Sequence, residues 1–361
     1  MKHRVATEFF RNFFLGFGGL IAVIAVMGLI FGPTWEQYER HQAALEFPAP
    51  GRLLNIGGRR IQIDCRGTGS PTVVFESGLG IHGALSWAKV HDPVAKFTRA
   101  CAYSRAGILW SDDKDGSHNG VGVAKDLHAT LAAAGENGPF VLVGHSLGGP
   151  YITIYAKLFG DQVVGLVYVD ASHPDQQKRI KAALGRLPKS FVKETLYKFA
   201  THLSWTGVVR LGAYFLVGGP NMPNETIKIS KAFTSNSLAS ALAEMDATPA
   251  TLDEAGTFRN LGDRPIVVLT HMQPTPEGSL KAVGLSKVEG EKLDSVWLDL
   301  QNDMASWSSR STHRIVSNAG HFIQFDRPSV VVTAIREVVD NVRAPIHRAD
   351  GDERALHCRP G

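Results

Sequence analysis

The chain has 361 residues, 44% hydrophobic and 20% charged, with a formal net charge of +4. That length and mix suit one large core or two modest ones and are ordinary for a globular protein, so disorder is not the default. The small basic surplus forms no stripe interleaved with aromatics, so no nucleic-acid partner is expected, and the three cysteines (Cys65, Cys101 and Cys358) exclude a disulfide-framework fold and show no metal-ligand spacing.

Residues 1–12 hold Lys2, Arg4 and Arg11, and the uncharged run Phe13–Gly32 follows. Twenty apolar residues are enough to cross a bilayer as a helix. The positive-inside rule then places residues 1–12 in the cytoplasm and the rest of the chain outside. A cleaved signal peptide has the same charge layout, but its apolar region is shorter and no A-x-A site follows Phe31. The reading is a retained signal anchor over 13–32, with Gly28 and Gly32 as a small-residue pair suited to helix packing. Residues 33–50 read as a proline-bearing linker, with Trp35 and Tyr38 at the membrane interface.

Strands are predicted at 52–56 and 60–65 around a Gly57-Gly58 turn, then at 72–75. A helix over about 84–97, a strand at 100–103 and a helix over 121–134 come next. Strands at 140–143 and 163–169 flank a further helix. This alternation predicts a mostly parallel sheet with helices on both faces, its first part spanning 51–171. Residues 172–262 break the rhythm, with helical stretches at 191–202 and 230–247 and an apolar stretch at 208–216, and read as a helical cap inserted between two strands. The core resumes over 263–345 with a strand at 266–270, a helix at 288–307, a strand at 313–317 and a closing helix at 330–342. The polar tail, 346–361, is expected to be disordered.

Chemistry concentrates at Gly144-His145-Ser146-Leu147-Gly148, a G-x-S-x-G between a buried apolar strand and a helix. Such a nucleophile elbow holds its serine in a strained conformation, and Gly144 and Gly148 clear the space on either side. A serine hydroxyl needs a base, and His321 lies in a small-residue loop after the last strand, where the chain order Ser…Asp…His puts it. His145 reads as a packing neighbour. The imidazole needs a carboxylate to orient it and to stabilise its protonated form. Asp170, at the carboxyl end of the 163–169 strand, is the first choice; Asp294 and Glu277 remain alternatives. The oxyanion would be held by the backbone N–H groups of Leu147 and Leu79.

Gly78-Leu79-Gly80-Ile81-His82-Gly83 is also a literal G-x-G-x-x-G, with Arg105 placed to meet a 2′-phosphate. An NADP-dependent oxidoreductase is therefore a competing reading. It is disfavoured because the motif follows the third strand, no acid ends the next strand, and Ser146 and His321 are left unexplained.

From about Gly51 to Val342 the chain resembles the α/β-hydrolase superfamily, most closely capped bacterial serine hydrolases with an N-terminal anchor. The resemblance rests on ESGLG (76–80), CAYSRAGILWSD (101–112), GHSLGG (144–149), LVYVDASHPDQ (166–176) and GHFIQFDRP (320–328). It implies an eight-stranded sheet in which strands two and four are neighbours, which would bring Cys65 and Cys101 together for a possible disulfide. It also implies a small-molecule ester as substrate, with no metal or organic cofactor. Its dehalogenase and epoxide-hydrolase branches use aspartate where this chain has Ser146. Two departures stand out: Ser104 replaces the aspartate of the usual D-R-x-G, and the loop after the penultimate strand, Thr270 to Glu277, has no aspartate. A fold retained for binding without turnover is the alternative function.

Overall fold

The computed structural model describes Gly19 and residues 26–28, 30–188, 200–219 and 221–344. The expected cytoplasmic segment 1–12, most of the expected span 13–32, most of the helix expected at 191–202 and the tail 346–361 lie outside the described residues. Among the described residues no helix is long and apolar enough to cross a membrane.

Eight strands form one sheet: β1 Arg52–Asn55, β2 Arg60–Arg66, β3 Thr72–Glu76, β4 Ala100–Ser104, β5 Phe140–His145, β6 Val163–Val169, β7 Ile266–His271 and β8 Ser311–Val316. Their spatial order is β1-β2-β4-β3-β5-β6-β7-β8, antiparallel at β1–β2 and β2–β4 and parallel beyond. The inner strands β3, β4 and β5 are buried at every residue, as strands covered on both faces must be. Cys65 and Cys101 face each other in the β2–β4 register and are joined by a disulfide.

One face is covered by helices α3 Gly120–Ala134, α4 Gly148–Leu158 and α10 Lys287–Ala305. Leu127, Ile152, Tyr155 and Met304 pack there on Leu142, Leu166 and Val268. The other face carries α12 Pro328–Arg343, whose Val331, Ile335 and Val338 meet Val143, Val167 and Leu269. The odd and even residues of each strand thus feed separate cores. Each fully buried aliphatic side chain contributes about 1.5–3 kcal/mol by leaving water.

Two predicted elements differ. The helix expected over 84–97 is a 3-10 turn at Gly83–Trp87 followed by the short α2, His91–Ala95. Pro93 sits where a continuous helix would need its N–H. The linker expected over 33–50 is instead helical through residue 46, as α1, residues 30–46. Burial explains the difference: Ala43 joins Ile108, Leu109 and Phe233 in a small core, and Glu36 is 2% exposed. Trp35 lies over Gly207, where any Cβ would come within 2.5 Å of its ring. Gly32 presses on Thr206 of the same chain, while Gly28 meets nothing.

Between β6 and β7 lie α5 Gln176–Leu184, α6 Val208–Leu216, α7 Asn224–Asp246 and α8 Thr248–Gly256. The apolar stretch 208–216 is thus a helix. α6 is fastened to α1 by a buried ion pair, with Arg210 donating to both Glu36 oxygens at 2.9 and 3.0 Å. Glu254, on α8, accepts from Asn119 and from the Val121 N–H at the start of α3, and so ties this insertion back to the core. The short helices α9 Glu277–Ala282 and α11 Ile323–Asp326 complete the fold.

Candidate active site

Ser146 sits between β5 and α4 with φ +53, a left-handed value that costs a non-glycine residue energy and turns the side chain outward at the sheet's carboxyl edge. The space around it requires glycine. A Cβ on Gly144 would lie 2.5 Å from the Gly148 oxygen, and one on Gly148 would lie 2.5 Å from the Glu76 oxygen. A Cβ on Gly78 would lie 2.9 Å from Ser146 Cβ, so the loop carrying Leu79 runs directly against the elbow. Leu147 opens α4, where the first amides have no acceptor within the helix.

The turn is pinned on its other side as well. The Ser146 oxygen accepts from the Ser172 N–H at 2.9 Å, and the Ser146 N–H donates to the Val169 oxygen at 3.3 Å. That brings the end of β6, and with it Asp170, beside the elbow. Asp170 is fully buried and also has a left-handed backbone, φ +46.

Four donors converge on the Asp170 carboxylate. His321 Nδ1 and His271 Nδ1 lie 2.5 and 2.7 Å from Oδ2; Trp297 Nε1 and the His271 N–H donate to Oδ1 at 2.9 and 3.1 Å. Burial by itself would raise the carboxyl's pKa, but the hydrogen bonds from the two histidines and their charge pull it well below the usual range. Asp170 is therefore an anion at neutral pH. Burial pushes the other way at His271 too, lowering its pKa, and the bond to Asp170 with its charge outweighs it, leaving a raised value. The bond through His321 Nδ1 leaves Nε2 for other partners. Among the described residues no hydrogen bond joins that ring to Ser146, a contact that often tightens only when substrate binds.

His145 is not a base. Its Nε2 lies 2.9 Å from the His321 oxygen, and burial, with the neighbouring His321, lowers its pKa to about 3. It stays neutral and fixes the backbone that carries His321. Asp294 does not reach His321; it lies one turn before Trp297 on α10, and its charge raises the His271 pKa. Glu277 stands at the start of α9, exposed, facing Lys281 at 4.0 Å. Only Asp170, of the three acids the sequence left open, touches His321.

Arg105 does not face a nucleotide. It is 4% exposed and fully engaged: it donates to both oxygens of Glu244 on α7 at 2.7 Å, to Glu76 at 2.7 Å, and to the Ser77 and Gly78 oxygens at 2.7 and 2.8 Å. It therefore clamps the Leu79 loop to the sheet and to α7 of the insertion, and the reading of Gly78–Gly83 as a dinucleotide loop is corrected. That loop leads into a five-residue 3-10 turn, with no long helix start to receive a pyrophosphate. Ser104 fills the place of the usual aspartate, donating to Gln62 Oε1 at 2.8 Å and accepting from the Ala84 N–H at 3.3 Å.

Among the described residues three groups of donor atoms lie within metal-binding reach. One, Cys65/Cys101/Glu136, has both sulfurs taken by the disulfide, which leaves Asp170/His271/His321 and His173/Asp175/Asp303. In the first, an ion would have to displace two hydrogen bonds from the same oxygen. In the second, Arg259 and Arg179 already hold the carboxylates.

Sequence reasoning missed His271, Trp297 and the Arg105–Glu244 clamp. His271 alone left a signal, because it ends the strand after which the acid was sought.

A doubly wound sheet with a serine elbow and a carboxylate-bound histidine at its carboxyl edge defines a hydrolase architecture. Residues 34–334 match the profile of the Alpha/beta hydrolase family, and the chain belongs to that family. Among solved structures it is similar to a putative lipase from Acinetobacter baumannii AYE, with 18% identity and TM-score 0.58, covering 86% of this chain and 96% of that one. It is also similar to an epoxide hydrolase, CorEH, with 18% identity and TM-score 0.56, covering 81% of this chain and 98% of that one. Identities this low show the fold alone. An uncharacterized Bacillus subtilis (strain 168) protein, YqjL, is 23% identical over 278 residues, 76% of this chain and 85% of that protein. In three other curated relatives the alignments span 28%, 49% and 20% of their lengths.

Proposed function

We propose that this protein hydrolyses small-molecule carboxylic esters through an acyl-enzyme on Ser146. The observation that carries the proposal is the Asp170–His321 hydrogen bond, formed beside a serine elbow whose oxyanion loop is already in contact with it. In the proposed reaction His321 Nε2 takes the Ser146 proton as Oγ attacks the ester carbon. Asp170 stabilises the imidazolium, and the N–H groups of Leu79 and Leu147 receive the oxyanion. The tetrahedral intermediate collapses, the alcohol departs with the proton from His321, and the acyl group stays on Ser146. Water, deprotonated by His321, then releases the acid. No metal or organic cofactor enters these steps.

The protein is further proposed to act outside the cytoplasm, anchored through residues 13–32. The uncharged run and the basic residues before it support this, as does the Cys65–Cys101 disulfide, since such bonds persist in oxidising compartments. Hydrolysis of p-nitrophenyl butyrate by the full chain and by Ser146→Ala tests the catalytic reading. The variant should lose at least about 10³-fold in kcat. Equal turnover would contradict the mechanism, and no turnover by either would favour a binding-only role.

A further inference from the structure

α6 is the most sharply two-sided helix of the insertion. Val209, Arg210 and Ala213 turn inward and are buried, while Val208, Leu211, Tyr214 and Phe215 turn outward. Phe215 is 90% exposed, a state that a phenyl ring in bulk water does not favour. The one charge on the helix, Arg210, faces inward and is spent on Glu36, so the outer face carries none.

This face does not stand alone. Gly32 of α1 touches Thr206, and Trp35 covers Gly207, so the start of α1 abuts the start of α6. The exposed Ile30 and Phe31 of α1 are thereby brought to the same end of the insertion as the exposed Trp205 and Val208, a clustering of large apolar side chains that marks an interaction surface. The Arg210–Glu36 pair locks the two helices in that arrangement. The chain before α1 is the uncharged run that begins at Phe13.

Charge selects the occupant. The segment leading to α6, residues 176–203, carries seven Lys or Arg and one Glu; Arg179 and Arg186 are ion-paired, to Asp303 and Glu289. At the far end of the helix Lys231 lies over the Tyr214 ring and donates to the Tyr214 oxygen at 2.8 Å, placing an ammonium at the border of the apolar face. Leucine, phenylalanine, tryptophan and tyrosine exposed together, with Lys231 at the border, match the headgroup boundary of an anionic bilayer.

We infer that the outer face of α6, with Trp205 and the Ile30–Phe31 end of α1, docks on the surface of an anionic lipid bilayer and holds the cap against the membrane. This rests on the anchored reading proposed above, and the test separates the two. The full chain carrying Cys358→Ser, with Phe215→Cys or Leu211→Cys spin-labelled, is reconstituted into phosphatidylcholine/phosphatidylglycerol vesicles. Lys125→Cys on α3, an exposed position of the core, serves as the control. The exposure of Phe215 makes its replacement harmless to folding. Labels at 215 and 211 should collide with oxygen more often than with nickel ethylenediaminediacetate, and the label at 125 should show the reverse. Protein that floats with the vesicles while labels 215 and 211 remain open to nickel overturns the docking and leaves the anchor standing. Protein that does not float overturns both. Spin–spin broadening at 215 shows a second copy on this face and overturns the inference.

Discussion

The sheet edge and the cap solve different problems with the same kinds of residue. At the edge, both carboxylate oxygens of Asp170 are bonded, two non-glycine residues accept left-handed backbones, and Gly78 leaves no room for a methyl group beside Ser146. On the cap, α6 shows its large apolar side chains to solvent, and two buried ion pairs, Arg210–Glu36 and Arg105–Glu244, fasten the cap to α1 and to the core. The first region is over-determined, as a site that must hold a reacting geometry has to be. The second is fastened on its inner side, by Glu254 as well as by the two ion pairs, and leaves the outer face of α6 exposed. Small perturbations should therefore be costly at the edge and cheap on the outer face of the cap.

The largest effect should come from Asp170→Asn. The volume is conserved, but the carboxylate that fixes the His321 tautomer is lost, and kcat for ester hydrolysis should fall roughly 10³- to 10⁴-fold. Activity within a factor of ten of the parent would remove Asp170 from the mechanism. Next is Gly78→Ala, whose methyl group would lie 2.9 Å from Ser146 Cβ and displace the oxyanion loop. It should lower kcat about 10²- to 10³-fold, whereas Leu79→Ala, acting at a side chain and not at an N–H, should cost little. If the two variants behave alike, the oxyanion donor is not in this loop.

Glu244→Gln tests whether the cap is fastened to the edge. It leaves Arg105 buried with Glu76 as its only carboxylate, and a broken buried pair of this kind costs about 3 kcal/mol of stability, readable in urea melts. The effect should carry to the Leu79 loop, because Arg105 also holds the Ser77 and Gly78 oxygens. A stable variant with unchanged kcat would uncouple the two regions.

The smallest effect is a dependence on pH. His145 in the folded chain has its pKa depressed to about 3, below its unfolded value, so its contribution to stability is in place above about pH 6.5 and is lost as pH falls toward 3. From pH 7 to pH 5 that is about 2 kcal/mol. His271 is raised and has the opposite sign: its contribution is present below its unfolded pKa and is lost as pH rises through the folded one. His145→Gln should flatten the acid-side decline in urea melts at the two pH values. An unchanged slope would mean that His145 is not the group responsible.

The same contrast explains what could be read from the chain alone. The core strands were legible because burial on both faces demands unbroken apolar runs, and β6 is found at 163–169 as expected. The elbow was legible because steric crowding dictates its glycines. The acid was narrowed to three residues and no further, because carboxylates from different loops meet His321 only through the fold. His271 and Trp297 could not be assigned beforehand, since their role depends on a carboxylate about a hundred residues away in sequence. α1 was mistaken for a linker because its apolar partners, Thr206, Gly207 and the core around Phe233, are distant in the chain.

The central claim is that Ser146 is the nucleophile. It is tested most directly by treating the full chain with a fluorophosphonate and mapping the modified peptide by mass spectrometry. One adduct per chain is expected, on Ser146, absent from Ser146→Ala and slowed in Asp170→Asn. An unmodified chain, or an adduct on another residue that persists in Ser146→Ala, would contradict it.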